Sequence, residues 1–265
     1  MSSAHTSAET LMPVRPAGWR TGLFNLARKE LAEWFGGFEL VKSISIWIGL
    51  INGILLMAML TERASGAAPL RLLTFGVEVY TQLTAMFVAV GVAIAALDAI
   101  IGERDLGTAA FILSKPLSRV AFILAKFVSN ATGILVTAVL IPGMVAYAEI
   151  WAIAGSRLSL VRFPIAMLIL FEGLTFNLAL TLLLGAFFRR KSPVIGIPLA
   201  LLFGQDLLIS LIPELVYVTP WGFTDLARAY VFEGSLTSPL ALFMVPATVA
   251  LMLAVSIVKF QREDL

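Results

Sequence analysis

The sequence predicts an all-α protein that crosses a membrane six times. The chain has 265 residues, of which 59% are hydrophobic and only 14% are charged, whereas soluble domains carry about 25% charged residues. Apolar runs long enough to cross a hydrocarbon core of roughly 30 Å recur along the chain. The absence of Cys excludes disulfides and thiolate metal sites, and a single His excludes a metal site built from several histidines.

The N-terminal region predicts a tail followed by an amphipathic helix. Residues 1–21 are rich in Ser, Ala and Pro and predict a mobile cytoplasmic tail. Residues 22–41 predict a helix that lies in the membrane interface; the alternative is a soluble helix packed on a partner. Its apolar face holds Leu23, Phe24, Ala27, Leu31, Trp34, Phe35 and Phe38, with Leu26 as an exception, and its polar face holds Arg28, Lys29, Glu30, Glu33 and Glu39.

Residues 42–265 predict one transmembrane domain. A spanning helix needs about 20 apolar residues. The segments that qualify are Ser43–Leu60, Phe75–Ile101, Val120–Tyr147, Pro164–Phe188, Val194–Ile212 and Pro239–Val258. The second and third segments exceed this length, so we expect them to tilt or to extend beyond the membrane.

The distribution of Lys and Arg predicts that both termini are cytoplasmic. Cytoplasmic loops carry an excess of these residues. With the N-terminus inside, most of them fall on the cytoplasmic side. The outer loops hold only Arg63, Arg71, Arg157, Arg162 and Arg228. Nothing before Ser43 resembles a cleaved signal peptide, so we expect the first span to direct insertion.

Four acidic residues fall within or near the predicted spans. Glu78 and Asp98 lie near opposite ends of the second span, where structural roles are favoured. Glu172 and Asp206 lie deeper, where a charge is costly and indicates function. They are candidates for lining a translocation path, or they stay protonated or bond across helices. The longest outer loop, Pro213–Ser238, is apolar enough to predict a short re-entrant or interfacial helix.

No catalytic motif is present. The chain has no GxxxxGK[ST] phosphate loop, no HExxH and no GxSxG. The sequence therefore predicts a protein that is not itself an enzyme and that holds no cofactor or metal. Its basic residues follow membrane sides, so no nucleic-acid partner is expected.

Residues 102–119, GERDLGTAAFILSKPLSR, form a polar and amphipathic interruption between the second and third spans. Gly107 predicts a break and Thr108 the cap of a short helix with Phe111 and Ile112 exposed. Pro116 ends that helix, and Ser118 predicts the N-cap of the third span. We expect this helix to lie across the cytoplasmic mouth; the alternative is a plain loop that rests on lipid.

This stretch resembles the signature of ABC type-2 transporter permeases. The matching residues are Glu103-Arg104, Gly107-Thr108, Leu113, Pro116 and Ser118-Arg119, followed by Lys126. Arg28-Lys29-Glu30-Leu31 is similar to the family's N-terminal helix. Ala109 and Ala125 depart from the family's usual Leu and Gly. The resemblance extends over the full chain and is closest to single-domain permeases of sodium-exporter, multidrug and nitrous-oxide-reductase-maturation types.

The resemblance implies a permease, more specifically an exporter subunit, in the bacterial cytoplasmic membrane. A separate ATPase subunit, which binds ATP and Mg, would dock on a coupling helix formed by Glu103, Arg104, Gly107, Thr108, Phe111, Ile112, Leu113, Lys115, Pro116, Ser118 and Arg119. Arg28, Lys29 and Glu30 of the interfacial helix, together with Arg189-Arg190-Lys191, would complete the ATPase-facing surface. Six spans are half of such a transporter, so a homodimer or a paired paralogous permease is expected.

Two other functions stay open at this point. In the first, the same architecture passes ATP-driven motion to a periplasmic partner without bulk transport. In the second, the chain is a self-powered channel or secondary carrier. No intramembrane Lys, Arg or His lies at the depth of Glu172 and Asp206 to complete a proton or sodium relay, and this disfavours the carrier.

Overall fold

The computed structural model describes residues 18–97, 101–102, 117–236 and 239–262. All regular secondary structure in these residues is helical, which confirms the predicted fold class. The helices are α1 (Leu23–Phe35), α2 (Gly37–Ala64), α3 (Pro69–Leu97), α4 (Arg119–Ala154), α5 (Arg162–Phe187), α6 (Lys191–Leu211), α7 (Leu215–Val218), α8 (Phe223–Glu233) and α9 (Pro239–Gln261).

Six of these helices are long and apolar enough to cross a membrane, as predicted: α2 to α6 and α9, which are the first to sixth spans. The first span begins at Gly37 rather than Ser43, the second begins at Pro69 rather than Phe75, and the third ends later than predicted. That helix continues to Ala154, beyond the predicted end at Tyr147, because Gly155 with φ of 69° is the first residue to leave the helical conformation. Its 36 residues correspond to about 54 Å at 1.5 Å per residue, so it exceeds the hydrocarbon thickness.

The first three spans each contain a wider, π-helical stretch. These stretches are Ile48–Asn52, Thr84–Val88 and Leu135–Leu140. In the third span the cause is Pro142, which follows the stretch, has no backbone N–H and crowds the preceding turn. The hydroxyl of Tyr80 donates to the carbonyl of Val139 over 3.2 Å. A side chain of the second span is therefore bonded to the π-helical stretch of the third.

Glycines on the spans receive aromatic rings from neighbouring helices. A Cβ on Gly91 of the second span would overlap the ring of Trp47, and a Cβ on Gly133 of the third span would overlap the ring of Trp34. Small residues allow this close approach between membrane helices. The main core includes buried residues of α1 and of every span except the fifth. A second, smaller cluster in the described residues joins Val194 of the fifth span to Leu97 and Ile101.

The structure corrects the prediction of one continuous helix over residues 22–41. α1 ends at Phe35, and the first span begins at Gly37. Gly36 has extended backbone angles and Gly37 has a φ of +50°, a conformation that favours glycine. Two adjacent glycines therefore separate α1 from the first span, and Phe38 belongs to the span.

Candidate functional site

Most residues of the predicted coupling helix lie outside the described part of the chain. These are Glu103, Arg104, Gly107, Thr108, Phe111, Ile112, Leu113, Lys115 and Pro116. Ser118 and Arg119, which close the motif, are described. The structure therefore shows where the segment leads, which is into the start of the third span.

Ser118 caps the third span, as the sequence predicts. Its Oγ accepts a hydrogen bond from the backbone N–H of Ala121 over 3.0 Å. The same hydroxyl donates to the carbonyl of Trp19, and the backbone N–H of Ser118 donates to the carbonyl of Thr21 over 3.1 Å. The cap is thus also a connection to the residues that precede α1.

Arg119 contacts the opposite end of the chain. Its Nη1 donates to the carbonyl oxygens of Phe260 and Gln261 over 2.9 and 2.8 Å. These carbonyls belong to the last turn of the sixth span, where the helix itself leaves acceptors unsatisfied and where a cation is favoured. The ring of Phe122 stacks on that of Phe260, with centroids 5.2 Å apart. Arg119 therefore caps the last turn of the sixth span.

Glu30 does not lie on a solvated face, and this corrects the prediction made from the helical wheel. Its carboxylate accepts from the Nζ of Lys126 over 2.8 Å, and the two side chains are only 9% and 4% exposed. The physical reason is that α1 packs on the third span, which supplies a buried ammonium group. The two motif fragments at residues 28–31 and 126 are thus joined by one ion pair.

The contact face of α1 differs from the predicted apolar face. Leu26, the exception on the wheel, is buried, whereas Phe24 and Phe38 are 77% and 76% exposed. Arg28 and Lys29 are exposed, as predicted. The Oγ of Ser129 donates to the carbonyl of Ala27 over 3.2 Å, further along the same contact. The placement of α1 at the membrane interface stays a prediction.

The predicted helix in the last outer loop is α8, and it returns along the fourth span. Its N-terminal side contacts Gly173, where an added Cβ would meet Pro220 and Phe223. At its other end, Arg162 Nη1 donates to the carbonyl of Phe232 over 2.8 Å. Gly173 and Arg162 are separated by about 16 Å along the fourth span. α8 and the turn before it therefore lie beside the N-terminal half of that span.

Glu78 lies against α8. Its carboxylate pairs with Arg228 over 3.2 Å, and Arg228 also pairs with Asp225 over 2.8 Å. The side chains of Glu78 and Arg228 are 37% and 39% exposed. We call Glu78, Asp225 and Arg228 the outer charge cluster. The structural role predicted for Glu78 agrees with this contact.

Glu172 and Asp206 lie at the same height on adjacent antiparallel helices. Each is fifteen residues from the short connection between Phe187 and Lys191. Glu172 is half-buried and its Oε1 has no hydrogen-bond partner, while Asp206 is exposed. The structure brings the two residues to one level without joining their carboxylates by a hydrogen bond in the described residues.

A family model with the description "ABC-2 family transporter protein" matches residues 57–265. The match covers the second to sixth spans in full and only the end of the first, from Met57 to Ala64. The chain belongs to the ABC-2 transporter family. It is a multi-pass membrane permease of an ABC transporter, and its family implies an ABC ATPase as partner. No curated protein sequence matches the chain.

One polar group of this ABC-2 permease was not predicted from its sequence. Nδ2 of Asn52, in the first span, donates to the carbonyl of Pro142 over 3.0 Å and to Oε2 of Glu149 over 3.3 Å. Asn52 is 1% exposed, and its Oδ1 has no partner. Glu149 was missed because the predicted third span stopped at Tyr147. The signal in the sequence was the lone Asn within an apolar run.

The described residues therefore divide the permease into two polar regions. Where the third span begins, buried polar contacts fix α1 and the sixth span to it. In the other region, half-exposed charges join α8 to the second span.

Proposed function

We propose that this ABC-2 chain is the non-catalytic permease subunit of an exporter. A separate ATPase subunit, holding ATP and Mg, docks on the coupling helix within residues 102–119. One observation carries the proposal: the family match is combined with a motif whose last residues, Ser118 and Arg119, bond to the residues before α1 and to the last turn of the sixth span. A displacement of the segment before them is therefore transmitted to the start of the third span.

The ATPase-facing surface of the proposal also includes exposed positive charge. Arg28 and Lys29 on α1 and Arg189, Arg190 and Lys191 between the fourth and fifth spans are exposed. With both termini in the cytoplasm of a bacterial cell, these residues share the side of residues 102–119. Their exposure supports the role that the sequence suggests for them.

Substitutions in the coupling helix test the docking. Phe111→Ala or Glu103→Ala should reduce the amount of ATPase that copurifies with a tagged chain in mild detergent. Phe243→Ala is the matched control, because Phe243 is 71% exposed near the outer start of the sixth span. The proposal fails if the coupling-helix variants retain as much ATPase as the control.

The proposal includes a second permease copy placed against the fifth span. This helix buries only Val194 and Pro198, both in its cytoplasmic half. Its outer half exposes Phe203, Leu207 and Leu211 together with Asp206. A charged residue facing lipid is costly, so a second copy across a hydrated path, with Asp206 and Glu172 along it, accounts for this face better than lipid does.

Cysteine cross-linking tests this arrangement without interference, because the chain has no Cys of its own. Leu207→Cys should give cross-linked homodimers in membranes. Leu251→Cys on the sixth span, which is 64% exposed, is the control and should not. Equal cross-linking of both variants would contradict the proposed interface. Cross-linking to a different permease would show that the partner is a paralogue and not a second copy of this chain.

Export is tested in inside-out vesicles that contain the complex. ATP should drive net uptake of the substrate into the vesicles, with no uptake when the ATPase is absent. Transport that persists without any ATPase would instead support a self-powered carrier.

A further inference from the structure

The start of the third span is joined on two sides to helices from opposite ends of the chain. On one side, Ser118 and Lys126 contact the region of α1 through Trp19, Thr21 and Glu30. On the other side, Arg119 and Phe122 contact the end of the sixth span. We call α1, residues Arg119–Ile134 and the last turn of α9 the cytoplasmic junction.

The contact between α1 and the third span extends over the whole of α1. Ser118 lies beside Thr21, Ser129 beside Ala27, and Trp34 against Gly133. Residue numbers rise together on the two helices with nearly constant separation in sequence, so α1 runs alongside the third span in the same direction. Such a contact leaves no part of α1 free to turn independently.

Electrostatics and packing oppose separation of the junction. Moving α1 away would leave Glu30 and Lys126 as buried, unpaired charges. Moving the sixth span away would remove a charge-assisted hydrogen bond from the carbonyls of Phe260 and Gln261. The partners in these contacts are distant in sequence. A rearrangement of neighbouring residues in the chain therefore cannot supply substitute partners.

The junction has a defined flexible boundary. Gly36 and Gly37 separate α1 from the first span, and Gly37 has a φ of +50° with open space where a Cβ would stand. Glycine allows backbone angles that other residues resist. The first span can therefore change its angle to α1 at this point while α1 stays on the third span.

We propose that the cytoplasmic junction moves as one rigid body during the ATPase cycle, with Glu30, Lys126 and Arg119 as its positioning residues. The proposal rests on the proposed function, in which the ATPase displaces residues 102–119. A displacement of that segment then reaches the first span through α1 and the glycine pair, and reaches the sixth span through Arg119. The last turn of the sixth span therefore moves with the junction, whereas the first span is displaced at its α1 end and can change its angle at the glycine pair.

A cross-link within the junction tests its rigidity. In the doubly substituted chain Ala27→Cys, Ser129→Cys, a short thiol cross-linker should join α1 to the third span. ATP turnover of the complex purified with its ATPase should be unchanged by this cross-link, because parts of one rigid body do not separate. Loss of turnover, with each single-cysteine variant unaffected by the same reagent, would overturn the proposal.

The ion pair is tested by a reporter on the outer side. Leu160 is 73% exposed in the loop after the third span. In the variant Leu160→Cys, the rate of labelling by a membrane-impermeant maleimide reports the conformation of the outer side. ATP should change the labelling rate in the otherwise unsubstituted complex. Glu30→Gln should abolish this ATP dependence while the ATPase still copurifies, and the charge exchange Glu30→Lys with Lys126→Glu should restore it. A structural defect alone would lower yield or thermal stability without this selective loss.

The two proposals fail in different ways. If no ATPase copurifies with the unsubstituted chain, the proposed function is wrong and this inference falls with it. If the ATPase copurifies but ATP-dependent labelling is absent, or persists in Glu30→Gln, only the rigid junction is wrong.

Discussion

The cytoplasmic junction and the outer charge cluster both contain ion pairs, yet their surroundings differ. Glu30 and Lys126 are 9% and 4% exposed, whereas Glu78 and Arg228 are 37% and 39% exposed. A buried pair that loses one partner leaves an unpaired charge, whereas an exposed pair can replace its partner by water. The comparison indicates that separating the pair in the cytoplasmic junction costs more free energy than separating the pair in the outer charge cluster.

The largest effect on stability is expected at the buried pair. Glu30→Ala should lower the free energy of unfolding by about 3–5 kcal/mol, because it leaves the ammonium of Lys126 buried and unpaired. The control is Glu33→Ala, which removes an exposed partner of Lys29 one turn later and should cost about 0.5 kcal/mol or less. Thermal unfolding in detergent measures both, and equal shifts would contradict the assigned burial of Glu30.

The next effect concerns the packing of α1 on the third span. Gly133→Ala should destabilise the protein by about 1–3 kcal/mol, because the new methyl group overlaps the ring of Trp34. Gly49→Ala in the first span meets no neighbouring atom and should be neutral or stabilising by up to about 1 kcal/mol. The same unfolding measurement compares the two, and a stable Gly133→Ala protein would show that the contact is loose.

A smaller and local effect is expected from Arg119→Gln. Loss of the guanidinium leaves the carbonyls of Phe260 and Gln261 without their cationic donor, which weakens a helix end by about 1–2 kcal/mol. Hydrogen exchange should accelerate in the last turns of α9 and remain unchanged in α8. Arg190→Gln, at an exposed position between the fourth and fifth spans, should leave exchange in α9 as it is.

The smallest effect on stability is expected at the outer charge cluster. Arg228→Ala removes the partner of Glu78 and Asp225, but the pairs are exposed enough that the cost should stay within about 1 kcal/mol. A loss as large as that of Glu30→Ala would remove the contrast between the two ends of the molecule. Unfolding of both variants in the same detergent decides this.

Hydropathy was sufficient to predict the six spans, because each is a long apolar run bounded by charge. The N-cap at Ser118 was also predictable, since a Ser before a helical run has a direct physical role. These features depend on neighbouring residues alone.

The face of α1 could not be predicted in the same way. A helical wheel assumes that polar residues face water, whereas Glu30 faces a Lys that is 96 residues away in sequence. Similarly, Asn52 and Glu149 lie on different spans and bond only after the spans have packed. The height shared by Glu172 and Asp206 follows from the turn between their helices, but their different exposure depends on the sparse packing of the fifth span.

The central claim is that this permease is driven by a separate ATPase, and purification of the tagged chain from its native membrane in mild detergent tests it most directly. The account predicts that an ABC ATPase copurifies in stoichiometric amount and hydrolyses ATP. Recovery of the chain without any ATPase, in every detergent that keeps the chain folded, would contradict it.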